Sequence, residues 1–122
     1  MMDQPSILEL VDAVRAFLEQ HAMPELKGRT AFHARVAANA LGIVSRELKF
    51  GARLADAERE RLTQLLRQEG TLDELNRELC RRIREGALGL DTPGLKEHLS
   101  ALTRGKVEVD QPHYSGLRQS AS

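Results

Sequence analysis

Arg29-Thr30-Ala31-Phe32-His33-Ala34-Arg35-Val36-Ala37-Ala38-Asn39-Ala40-Leu41-Gly42-Ile43-Val44-Ser45-Arg46-Glu47-Leu48 is the stretch on which the fold turns. With each helical residue rotating about 100°, Phe32, Val36, Ala40 and Ile43 make one apolar stripe, and Ala37, Leu41, Val44 and Leu48 fill the flank beside it. A helix apolar over so much of its circumference is ordinarily enclosed by other helices. The expectation is an all-α fold, a single-domain bundle of about five helices around this central apolar helix. Its polar residues are few and ordered: Arg35, Asn39, Gly42 and Arg46 fall on one narrow line, with Arg29 and His33 at its beginning. That line is the candidate site.

Working outward toward the N-terminus, Ser6-Ile7-Leu8-Glu9 has the capping-box form that starts a helix. Ile7, Leu10, Val11, Val14, Phe17 and Leu18 then recur at helical spacing and predict a core-facing stripe, ending near His21 or Ala22 before Pro24. Toward the C-terminus, Gly51 predicts the end of the central helix near Phe50, and Asp56 predicts the cap of a third helix that runs to Gly70. Thr71-Leu72-Asp73-Glu74 is a second capping box, and Leu72, Leu75, Leu79 and Ile83 share one side of the helix it opens. Arg81, Arg82 and Arg84 fall in its last turn, where the helix dipole favours cations. Asp91-Thr92-Pro93 predicts a cap followed by a fifth helix with Pro93 at its first position and Leu95, Leu99 and Leu102 inward. Gly105 leaves open whether Lys106 to Val109 continue that helix or form an extended arm. Phe32 and Leu79 are read as core side chains. Residues 1–114 form the expected single helical domain and residues 115–122 a flexible tail.

Composition narrows the function. Eighteen Lys and Arg balance eighteen Asp and Glu in 122 residues, and three Phe, one Tyr and no Trp leave little for base stacking. Phosphate-backbone binders need uncompensated cations, so nucleic acid is not an expected partner, even with Arg77, Arg81, Arg82 and Arg84 on one helix. No apolar run approaches the ~20 residues that cross a bilayer, and the N-terminus lacks the basic segment and apolar block of a signal peptide, which makes a cytoplasmic protein without membrane partner the expectation. Cys80 is alone, so no internal disulfide forms.

The chemistry-bearing residues admit two readings each. Arg35 and Arg46 could clamp an anion with Asn39 orienting it, or pair with carboxylates while Asn39 meets an internal partner such as Asn76. His33 has no carboxylate or second histidine at helical spacing to make it an acid or base. His21, His98 and His113 share no metal-ligand spacing, Cys80 reads as a boundary residue, and no nucleophile elbow, phosphate loop or HExxH pattern occurs. No catalytic residue, metal or cofactor is expected. Tyr114 either packs across helix ends or marks a docking surface.

Three segments, Gly28 to Leu41, Leu75 to Arg84 and Asp110 to Gly116, together resemble a family of small bacterial proteins of unknown function. Its members often stand beside genes for acyl-CoA dehydrogenases and aminoglycoside-phosphotransferase-like kinases. The resemblance implies an accessory or interaction protein, more a non-enzyme than an enzyme, that supports such a phosphotransferase or dehydrogenase or forms a homo-oligomer. It implies no catalytic residue, and marks Arg29, His33, Arg35, Asn39 and Tyr114 as positions to test. The alternative is a module for a small anionic, acyl-CoA-like ligand, or an unrecognised enzyme.

Overall fold

Two capping boxes set the starts of two helices. In the computed structural model, which describes residues 5–120, the Ser6 hydroxyl accepts from the Glu9 amide and the Glu9 carboxylate accepts from the Ser6 amide, opening α1 at Ile7–Phe17. The helical path continues as a π turn at Leu18–Ala22 and a 3-10 turn at Met23–Glu25 that takes in Pro24. The other helices are α2 (Gly28–Leu66), α3 (Leu72–Arg84), α4 (Leu95–Asp110) and α5 (Ser115–Ser120), with no strand among the described residues. The all-α class is therefore as expected.

The boundaries differ from the sequence reading in several places. Gly51 does not end α2, which runs unbroken for 39 residues through the positions expected for a second and a third helix. A helical glycine costs only about 1 kcal/mol against alanine, and Ala52, Arg53, Leu54 and Ala55 after it all favour helix. Asp56 lies inside the helix and caps nothing. The break comes instead at Arg67, whose φ of 53° is left-handed and ends α2 short of Gly70. Likewise Pro93 precedes α4: the helix starts at Leu95 behind Gly94, and the Thr92 hydroxyl accepts from the Gly89 amide within the loop. Gly105 neither ends α4 nor bends it into an arm. A Cβ there would lie 3.3 Å from Leu54 Cδ2, so the missing side chain lets two helices approach. Ser115–Ser120, assigned to the tail by sequence, are helical, and residues 121 and 122 lie outside the described residues.

The described chain divides into two compact units, residues 5–51 and 52–120. In the first, α1 and the N-terminal part of α2 run antiparallel, because Asp12 meets Ser45 and Arg15 meets Gly42. The α2 residues turned inward are small: Ala34, Ala38, Gly42 and Ser45 are buried at four- and three-residue steps. The bulky stripe expected to be central is instead open, with Phe32 57% and Val36 49% exposed. The α1 stripe is open as well, since α1 has no buried residue. Small side chains allow the closest backbone approach, so the two helices meet along the alanine line and leave the large residues outside. In the second unit Leu62 and Leu66 of α2, Leu75 and Leu79 of α3 and Leu95 of α4 form the core, with Leu65, Leu72 and Leu88 packed against it. Leu79 is buried as expected, and Ile83 lies at the rim.

Candidate functional site

The line Arg35, Asn39, Gly42, Arg46 holds together as one edge of α2, but its members have different surroundings. Gly42 is buried because two guanidinium groups lie over it: a Cβ there would be 3.3 Å from Arg15 Cζ and 3.3 Å from Arg46 Nη1. Beside them the Ser45 hydroxyl, only 2% exposed, donates to Asp12 at 2.7 Å. Arg15 Nε has no hydrogen-bond partner, with the Glu19 carboxylate 3.5 Å away. Gly42 and the half-buried Arg46 thus belong to a polar seam between α1 and α2, whereas Arg35 and Asn39 stand exposed on the helix surface. Asn76, read from sequence as a mate for Asn39, donates its amide to Glu58 at 3.0 Å.

One turn away, Phe32 and Val36 expose their side chains next to Arg35 and Asn39 on the wheel. The His33 ring meets that of Phe32 edge-on, with centroids 5.6 Å apart. Arg29 is exposed in the first turn of α2, a turn without any acidic residue, so Lys27 and Arg29 add their charge to the positive end of the helix dipole. The result is an open helix face of aromatic and aliphatic groups edged by cations.

Tyr114 lies in the second unit. Its ring is 58% exposed and, with Leu99, Thr103, Arg104 and Leu117, lines a cavity of about 340 Å³ between α4 and α5. Cys80 is exposed. Two arginines of α3 serve the fold: Arg81 is paired with Glu78 and Glu85, and Arg82 donates to Glu78, to the Leu66 carbonyl at 3.0 Å and to Gln68. Arg82 therefore closes the end of α2, and hydrogen bonds from Arg81 and Arg82 hold the Glu78 carboxyl down at about 2.

A polar cluster that the spacing rules passed over surrounds His98. The ring is 1% exposed, Nδ1 accepts from Arg61 Nε at 3.1 Å, and Nε2 has no partner. Burial, then the Arg61 charge, lowers its pKa against a smaller opposing effect of Glu58. Its position one turn after Leu95 was the available signal, because that places it on the inward face of α4. No group of three or more His, Cys, Asp or Glu among the described residues could hold a metal ion, and no helix there is long and apolar enough to cross a membrane.

A family model described as a domain of unknown function, DUF6285, matches residues 24–114, and the chain belongs to that family. The match takes in all of α2, α3 and α4 and ends at Tyr114. No curated protein and no solved structure matches the chain.

Proposed function

We propose that this DUF6285 protein is a helical accessory protein that docks onto a larger enzyme through the α2 face bearing Phe32, Val36, Arg35 and Asn39. The observation that carries the reading is the exposure of Phe32 and Val36, at 57% and 49%, beside exposed cations. Aromatic and arginine side chains in one patch are the groups that supply most binding energy at protein interfaces. Lys27, Arg29 and Arg35 favour a partner with an acidic surface. The two partners to try are a phosphotransferase-like kinase and an acyl-CoA dehydrogenase, on the strength of the gene company described above. Arg35 and Asn39 stand on an open helix face, which favours a protein partner over a small anionic ligand such as an acyl-CoA. Co-purification of the tagged chain with either enzyme at low and moderate salt tests this reading. Capture by the parent and loss of capture by Val36→Glu are expected. Capture of neither enzyme, together with thermal stabilisation by acyl-CoAs alone, would replace the docking reading with the ligand-binding one.

A further inference from the structure

A second apolar surface on the same unit lies elsewhere on the α1/α2 pair. On α1, Ile7, Leu10, Val14 and Phe17 are 60%, 51%, 52% and 57% exposed. Their mean direction is about 150° backward from that of Asp12 and Arg15, which face α2. On α2, Val44 and Leu48 are 44% and 45% exposed and stand about 90° from the buried line of Ala34, Ala38, Gly42 and Ser45. Both rotations are backward along their own chains. Because the helices are antiparallel, both turn to the same side of the pair, so the two sets form one continuous face. Phe32 and Val36 are turned the other way.

We propose that this face joins two copies of the chain, each contributing its α1/α2 pair as half of a four-helix bundle. The six side chains present roughly 600 Å² per copy, and Val11, Leu18 and Leu41 at the seam bring the total toward the ~800 Å² that each partner gives a stable interface. A patch of that size exceeds what monomeric proteins commonly leave open. Among the described residues no Asp, Glu, Lys or Arg projects from the centre of the face, so two identical surfaces meet without opposing like charges. That self-complementarity is the requirement of a two-fold interface. Two antiparallel helices with one shared apolar side are also the half-unit that a four-helix bundle completes. The proposal does not depend on the docking face of the preceding section.

Sedimentation equilibrium of the full chain at micromolar concentrations is the test. The parent is expected to show twice the chain mass. Val14→Glu and Val44→Glu, which place a charge at the centre of the face from different helices, are each expected to weaken association by at least about 30-fold, with far-ultraviolet dichroism unchanged. Phe32→Glu is expected to leave the dimer intact. A parent of single-chain mass throughout overturns the proposal. A folded Val14→Glu and Val44→Glu that both stay dimeric overturn it equally. Because Phe32→Glu and Val36→Glu alter only the docking face, failure to capture an enzyme and failure to dimerise are read separately.

Discussion

Leu75→Ala is the perturbation with the best-defined magnitude. The Leu75 side chain is 0% exposed and sits among Leu62, Leu66, Leu79 and Leu95, contributed by three helices. Truncation removes three buried carbons, worth roughly 2.4 kcal/mol at about 0.8 kcal/mol each. The neighbours are themselves held by packing from different helices, so the space left behind collapses only in part and adds a further cavity cost. The total should be about 3–4 kcal/mol, within the range of buried leucine truncations. Urea unfolding followed by far-ultraviolet dichroism reads the loss as a lower midpoint at unchanged slope. Leu90→Ala, at a side chain 86% exposed, is the control and should change stability by less than about 0.5 kcal/mol. If Leu75→Ala melts like Leu90→Ala, the leucine cluster is not the core of the second unit.

Three other outcomes follow from single sites. Phe32→Ala should cost less than about 1 kcal/mol, far below a core aromatic, and a loss of 3 kcal/mol or more in the same urea titration would mean that Phe32 is packed. Arg67→Gly should stabilise by about 0.5–1 kcal/mol, because only glycine takes a φ of 53° without strain; a lower melting temperature contradicts a left-handed residue at the end of α2. His98 is neutral in the fold with its pKa below the ordinary 6.5, so the unfolded chain binds the extra proton between those two values. Stability is then full above pH 6.5 and falls as the pH drops toward the lowered value, with a slope of at most about 1.4 kcal/mol per pH unit. The loss tied to Glu78 comes at more acid pH, between 4.5 and about 2, and His98→Leu should flatten only the upper window in a pH series of unfolding curves.

The elements written in local hydrogen bonds were legible in the sequence. The boxes at Ser6 and Thr71 form as their four-residue patterns require, because cap and helix are made by neighbours in the chain. Leu75 and Leu79 are buried as their spacing implies. Gly51 misled because a glycine stop signal is a weak preference, and the residues after it extend the helix more strongly than it breaks it. Phe32 misled for a different reason: periodicity shows that a face is apolar and says nothing of what covers it. The small residues at 34, 38, 42 and 45 carried the information about which side of α2 meets α1. For the candidate site, the alignment of Arg35, Asn39 and Arg46 on one edge was readable from spacing. That Arg46 joins the α1 seam while Arg35 and Asn39 stay exposed depends on Arg15 and Asp12, which spacing within α2 does not reveal.

The central claim is that α2 carries a docking face for another protein, and amide hydrogen exchange of the full chain, alone and mixed with each candidate enzyme, tests it most directly. The account predicts slowed exchange centred on the Arg29 to Asn39 part of α2 in the presence of one enzyme, abolished by Val36→Glu. Exchange unchanged in that stretch, or slowed only around Leu99 to Leu117 beside Tyr114, would contradict it.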